Sequence, residues 1–283
     1  MIQVKNLYHD YAGKGSFAVS DVSFHIEKGE IFGFLGPSGA GKSTVQNILT
    51  GLLKLQKGSV EYDGVPVSGL TTKFFNRVGV SFEQPNLYLR LTGLENLKYF
   101  AGLFSVPTLS PMNVLDAVGL RDSANKKAGE YSKGMKQRLT LARSLINSPE
   151  ILFLDEPTSG LDPSTAASIK ELILNQKKRG ATIFLTTHNM FLADSLCDRV
   201  AFLEGGRIAA MDTPANLKLK YGKQAVTVEY AEGSKTSSQS FDMETGRKEL
   251  ADFLLSVRPI TVHSQEATLE DIFIRVTGRG LSQ

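Results

Sequence analysis

Nine consecutive residues, Gly36-Pro37-Ser38-Gly39-Ala40-Gly41-Lys42-Ser43-Thr44, constrain this chain more than any other stretch. They follow a bulky apolar run, Ile31 to Leu35, and precede Val45, Ile48, Leu49 and Leu52 at helical spacing. A strand, a glycine loop and a helix in direct succession make a cradle for phosphate. Gly36, Gly39 and Gly41 leave the backbone free to curl so that successive N–H groups turn inward on an anion. A helix starting near Lys42 adds its unpaired N–H groups and the positive end of its dipole. Lys42 supplies a charge for the β- and γ-phosphates, and the Ser43 hydroxyl is placed to ligate Mg²⁺.

The remaining chain must build a fold around that loop. With 283 residues, 41% of them hydrophobic, it can bury one large core and a smaller one. Lys and Arg number 32 against 29 Asp and Glu, scattered rather than clustered, so a nucleic-acid partner is not expected. Cys197 is the single cysteine, which excludes an intrachain disulfide and suits a reducing cytosol. It falls in a helix-like pattern with Phe191, Leu192 and Leu196, where buried packing is expected. No run approaches the roughly 18 to 20 apolar residues of a spanning helix, and the opening segment lacks a signal-peptide pattern. The chain is therefore expected in the cytoplasm, reaching a membrane only through a partner.

Ile2–Val4, Val22–Ile26 and Ile31–Leu35 are predicted strands, and Asp63-Gly64 marks a two-residue hairpin between Ser59–Tyr62 and Val65–Val67. Arg77–Phe82 is a further strand. From Asn86 to Pro149 helical spacing takes over, in Leu94, Leu97 and Ala101, in Val114, Leu115 and Val118, and in Leu139, Ala142, Leu145 and Ile146. Ile151–Leu154 and Thr182–Leu185 are solid apolar runs, as in strands buried on both faces of a parallel sheet, and Thr165–Arg179 is the crossover helix between them. Val200–Leu203 and Arg207–Ala210 form another hairpin. Residues 1–222 thus form the nucleotide-binding portion, with a helical segment at about 86–149. Residues 223–283 form a small accessory α+β domain, in which Ala231–Ser240 is expected to be a polar loop.

Ile151-Leu152-Phe153-Leu154-Asp155-Glu156 carries the second half of the chemistry. A buried strand delivers two carboxylates to the carboxyl edge of the sheet, where ligands of open α/β sheets bind. Asp155 is suited to hold Mg²⁺ through a water, and Glu156 to polarise the water that attacks the γ-phosphate.

With both motifs in place, Gly36–Ser43 resembles a Walker A motif and Ile151–Glu156 a Walker B motif with its catalytic glutamate. Tyr131-Ser132-Lys133-Gly134-Met135 resembles the LSGGQ signature of ATP-binding cassette (ABC) ATPases, keeping the serine and the second glycine. Ser132 can cap the helix that follows, so that Ser132, Gly134 and the helix N–H groups form an anion site. Ser159-Gly160-Leu161-Asp162 resembles the family's D-loop, and Thr186-Thr187-His188 its switch histidine, which implies that His188 contacts the γ-phosphate. Tyr11 is similar to the aromatic residue that stacks on adenine, with Tyr8 and Phe17 as alternatives. At the family's Q-loop, counting back from Leu91-Thr92 puts Glu83 rather than Gln84 at the metal-facing position. Ala267–Gly278 resembles the Leu-Glu-Asp-x-Phe ending of ABC ATPases that serve exporters of drugs, antibiotics or sodium.

The resemblance implies an α/β P-loop core of ABC type. Its parts are a mixed sheet, an N-terminal antiparallel β subdomain and an inserted helical subdomain. It implies an Mg²⁺-dependent ATPase acting as a dimer of ATPase subunits, a homodimer or a heterodimer. Each ATP would lie between the phosphate loop of one subunit and Ser132–Gly134 of the other. Lys42, Glu156 and His188 are the implied catalytic residues; Ser43, Glu83 and Asp155 the metal ligands; Tyr11 and Gly36 to Thr44 the nucleotide contacts. The implied partner is an integral membrane permease docked around Leu87–Leu91, which would hold the chain at the inner face of the membrane and make it an exporter subunit. The alternative is a soluble ABC ATPase, working as an ATP-dependent dimerisation switch or on nucleic acid and ribosomes.

Overall fold

The computed structural model describes residues 1–222, 225–232, 235–265 and 267–278. The chain divides into two compact units, Met1–Met211 and Asp212–Gln283.

The first unit opens with β1 (Ile2–His9) and β2 (Val19–Ile26), whose buried and exposed residues largely alternate, so each presents one apolar face. The fully buried β3 (Ile31–Leu35) leads through the phosphate loop into α1 (Lys42–Leu49). Next come β4 (Lys57–Tyr62) and β5 (Val65–Pro66), joined by Asp63 and Gly64 at φ +49° and +80°, both in the left-handed region that a two-residue hairpin requires. After α2 (Thr72–Phe75) and β6 (Val78–Ser81) comes the helical segment, with α3 (Gly93–Ala101), α4 (Pro111–Ala117) and α5 (Lys133–Leu145). The α/β alternation resumes with β7 (Ile151–Asp155), α6 (Pro163–Lys178), β8 (Thr182–Thr187) and α7 (Met190–Leu196). It closes with β9 (Arg199–Glu204) and β10 (Arg207–Asp212).

These strands form a six-stranded sheet in the order β10-β9-β3-β8-β7-β6 and a four-stranded sheet in the order β2-β1-β4-β5. In the larger sheet β3 is parallel to β8 and β9, and β7 is parallel to β6 and β8. In the smaller one every pairing is antiparallel. Aromatic rings fill the interior: Phe24 of β2 stacks on Phe32 at 5.3 Å, and Phe34 meets Phe184 at 5.5 Å. Cys197 is buried at the end of α7, and desolvation pushes its thiol well above its ordinary pKa, so it serves packing.

The helical segment is inserted between β6 and β7. Its α3 carries a capping box, Thr92 accepting from Glu95 N and Glu95 accepting from Thr92 N. Its α5 returns to the sheet at Gly79 of β6, where a Cβ would lie 2.0 Å from Ser144 O. Only glycine allows the helix backbone so close.

The second unit holds α8 (Pro214–Tyr221), β11 (Ala225–Glu232), β12 (Lys235–Asp242), α9 (Arg247–Ser256), β13 (Pro259–Gln265) and α10 (Leu269–Thr277). Helix α8, placed by the sequence with the nucleotide-binding portion, packs here against α10, with Arg275 donating to Tyr221 O at 2.7 Å. The three strands form an antiparallel sheet in the order β12-β11-β13. The expected polar loop at Ala231–Ser240 is corrected: residues 233 and 234 of that stretch lie outside the described residues, while Ala231 and Glu232 end β11 and Lys235–Ser240 belong to β12. Its serines are compatible with β structure because most of them are exposed, and the Ser240 and Thr227 hydroxyls pair across the ladder at 2.7 Å.

Candidate nucleotide site

Three neighbouring parallel strands, β3, β8 and β7, end side by side. Leu35 is in register with Thr187, and Thr186 with Asp155. The phosphate loop, His188 and the acidic pair therefore emerge at one edge of the sheet, with β8 in the middle.

In the loop, Gly39 and Gly41 adopt φ of +80° and +104°. Gly36 is needed for another reason: a Cβ there would lie 2.2 Å from Leu203 O of β9, so glycine provides close approach rather than curl. Helix α1 begins at Lys42 behind a left-handed Gly41 without a side-chain cap, which leaves its first N–H groups free for an anion. Lys42 Nζ donates to Gly36 O at 2.6 Å and Pro37 O at 2.9 Å, closing the loop on itself. Burial presses this ammonium below the usual lysine range, while Glu156, Asp155 and Glu83 pull the other way.

The two acids are gripped by different groups. Asp155 Oδ2 accepts from Ser43 Oγ at 3.1 Å and Oδ1 from Thr186 Oγ1. Desolvation raises its pKa against the pull of those hydroxyls. Glu156 sits at φ +47°, a left-handed conformation rare outside glycine and of the kind that clusters at functional sites. Its Oε1 accepts from His188 N at 2.8 Å and lies 2.6 Å from His188 Nδ1, and its Oε2 accepts from Thr187 Oγ1 at 2.9 Å.

Of the residues expected from sequence, Tyr11, Ser38, Gly39, Gly41, Lys42, Ser43, Thr44, Glu83, Asp155, Glu156 and His188 line one cavity of about 340 Å³. Gly36, Pro37 and Ala40 are not on its wall. Among the aromatic alternatives Tyr11 faces the cavity, its hydroxyl 3.1 Å from Thr44 Oγ1. Tyr8 and Phe17 instead pack edge-on against each other at 5.7 Å, with Lys57 Nζ over Tyr8. Glu83 lies on the wall and Gln84 does not. Ser132 and Gly134 are also off this wall. Ser132 caps α5 by accepting from Met135 N at 3.2 Å, and Gly134 faces Leu161 of the Ser159–Asp162 loop, where a Cβ would come within 3.2 Å.

Sequence reasoning missed that Thr186 and Thr187 hold the two carboxylates, and that Gln137 Nε2 reaches Glu156 O at 3.4 Å. The threonines stand at a strand end beside a suspected histidine, but their partners follow from the β7–β8 register, which local patterning does not reveal. Among the described residues no group of three or more His, Cys, Asp or Glu is poised to hold a metal ion. Ser43, Asp155 and Glu83 do offer hard oxygens on one wall, which suits Mg²⁺ when phosphate oxygens complete its shell.

A parallel-sheet phosphate loop facing two strand-end carboxylates defines a P-loop nucleoside triphosphatase. Comparison with known proteins narrows this. Residues 19–159 match the ABC transporter family model. A fluoroquinolones export ATP-binding protein of Mycobacterium tuberculosis (strain CDC 1551) is 49% identical over 285 residues, spanning 100% of this chain and 95% of that protein. A Nod factor export ATP-binding protein I of Neorhizobium galegae is 35% identical, over 94% of this chain and 82% of that protein. A solved ATP-binding subunit of an ABC transporter superposes with a TM-score of 0.71 at 28% identity, covering 78% of this chain and 93% of its own. A dimeric ATP-binding cassette in a post-hydrolysis state with ADP and Pi gives 0.69 at 29% identity, covering 75% and 98%. The chain belongs to the ABC transporter family, as an ATP-binding cassette with ATPase activity.

Proposed function

We propose that the chain is the energy-supplying subunit of an export pump, hydrolysing Mg²⁺-bound ATP and driving a separate membrane permease. The observation that carries the reading is the convergence of the phosphate loop, Asp155, Glu156 and His188 on one cavity, with Ser132 and Gly134 outside it. In that arrangement Lys42 and the α1 N–H groups hold the triphosphate, Tyr11 takes the base, and Glu156 polarises the attacking water. Ser43, Asp155 and Glu83 would hold Mg²⁺, which when bound would supply positive charge against the charge that develops on the phosphate. His188, bonded to Glu156, orients that carboxylate and meets the γ-phosphate.

Ser132 and Gly134 are left to cover the nucleotide of a second cassette. Two cassettes, identical or sibling, would then close over ATP and part once the γ-phosphate leaves. Among the described residues no helix is long and apolar enough to cross a membrane. Contact with the permease falls to the groove of about 800 Å³ lined by Phe82, Leu87, Tyr88, Phe100 and Arg143, next to Glu83, which holds the chain at the inner membrane face. Export is favoured because the exporter relatives match the tail as well, whereas the solved cassettes cover 75% to 78% of the chain. Fluoroquinolone-type compounds are the first cargo to assay.

Glu156→Gln tests the reading. Hydrolysis is expected to fall below about one hundredth of the parent rate while ATP binding persists and an ATP-dependent dimer accumulates in size-exclusion chromatography. Undiminished hydrolysis would refute the assignment.

A further inference from the structure

The loop that carries Tyr11 is held by groups outside the chemistry described so far. Residues 10–17 bulge between β1 and β2, closed at the base by Ala18 N donating to His9 O at 2.9 Å. Asp10 gathers the loop around its carboxylate: Oδ1 accepts from Ala12 N at 2.9 Å and Gly13 N at 3.0 Å, and Oδ2 from Gly15 N at 2.6 Å. Gly13 and Gly15 sit at φ +64° and +82°, the left-handed turns that aim successive amides at one anion. Gln56 grips the same residue from the other side, its Oε1 accepting from Asp10 N at 2.8 Å and its Nε2 donating to Asp10 O at 3.0 Å. A carboxamide offers the donor and acceptor of a peptide, so Gln56 prolongs the β1–β4 ladder beyond the Tyr8–Lys57 pair.

Between these anchors Tyr11 is set in place. The buried His9 ring meets it edge-on at 4.6 Å, and its hydroxyl lies 3.1 Å from Thr44 Oγ1 on α1. Tyr11 is itself 65% exposed, so its own packing does little to fix it. A loop with two glycines, left untied, would have to be ordered each time a nucleotide bound, and that ordering subtracts from affinity.

We propose that Asp10 and Gln56 are positioning residues that pre-set Tyr11 as a platform for the base, and so add affinity for the nucleoside part of ATP that the phosphate loop does not supply. The proposal rests on the reading of Tyr11 as the base platform. It predicts a gain common to ATP and GTP, because stacking tolerates any base, and none for inorganic tripolyphosphate.

The test is displacement of a fluorescent ATP analogue from the purified full chain with Mg²⁺, using ATP, GTP and tripolyphosphate, for Tyr11→Ala, Asp10→Ala, Asp10→Asn and Gln56→Ala. Asp10→Ala and Gln56→Ala are expected to weaken ATP and GTP about three- to tenfold and to raise KM with kcat unchanged, while tripolyphosphate binds as before. Asp10→Asn, which keeps one acceptor oxygen, falls between. Tripolyphosphate binding also reports that each variant is folded. If Tyr11→Ala weakens ATP but Asp10→Ala and Gln56→Ala leave the ratio of ATP to tripolyphosphate affinity at the parent value, positioning is overturned and the platform stands. If Tyr11→Ala leaves that ratio unchanged, platform and positioning fall together. If all three ligands weaken in parallel in both variants, the two residues maintain general structure and the proposal is overturned.

Discussion

His188 Nδ1 lies 2.6 Å from Glu156 Oε1, and the His188 backbone N–H donates to the same oxygen at 2.8 Å. The other oxygen accepts from Thr187, whose hydroxyl itself accepts from Asn189 N at 3.0 Å. The Glu156 carboxylate is thus aimed by the end of β8 rather than by its own strand, and its left-handed backbone is held there by the bond from Glu156 N to Thr186 O.

Thr187→Val keeps the shape and removes that donor, leaving Glu156 Oε2 buried without it, a loss of about 1–3 kcal/mol. With the carboxylate less well aimed, kcat is expected to drop on the order of tenfold while ATP affinity holds. Single-turnover hydrolysis alongside equilibrium binding separates the two, and an unchanged kcat would show that the Thr187 bond to Glu156 does not matter to the reaction.

Asp155 gives a pH signature. Desolvation holds its carboxyl above the usual carboxylate range, so the folded chain keeps a proton that the unfolded chain has released. Unfolding in that interval releases a proton, stability falls as pH rises through it, and the deficit persists above it. Asp155→Asn removes the deficit. In nucleotide-free protein the Tm of the variant relative to the parent should therefore climb from acid pH toward neutrality and then level off. A Tm difference independent of pH would contradict this.

Ser132 caps α5 but does not line the cavity of its own chain. Ser132→Ala should cost about 1 kcal/mol in urea unfolding. Nucleotide affinity of the isolated chain should be unaffected, whereas steady-state hydrolysis, which under the proposed function needs a second cassette, should fall. Weakened binding at dilutions where only monomer exists would place Ser132 in its own site instead.

Gly79→Ala probes the junction between the helical segment and the sheet. The added methyl would meet Ser144 O, a backbone atom of α5 that cannot swing aside. A loss of about 1–3 kcal/mol is expected in urea titration, with β6 and α5 forced apart. Stability within error of the parent would mean the helix has room to retreat.

The strands, the crossover helix, the glycine loop and the acidic strand end could all be read from residues close together in the chain. Each is set by local backbone geometry and by periodic burial, which a short window of sequence contains. The polar strand Lys235–Asp242 could not, because Phe241 is its single apolar residue, too little for an alternating pattern, and its β structure comes from pairing with β11. The same holds for α8, whose helical pattern does not say which unit it packs into.

The chemistry of the site divides along the same line. Lys42, Ser43, Asp155 and Glu156 announce themselves, since a phosphate cradle and a buried strand ending in two acids are contiguous patterns. That Thr186 and Thr187 hold the acids, that Gly36 makes way for Leu203, and that Gln56 ties down Asp10 all depend on strands lying side by side in the order β9-β3-β8-β7, or on β1 meeting β4. Such partners are distant in sequence, and hydrogen bonds act only over about 3 Å. Chain order cannot specify them until the sheet has brought them together.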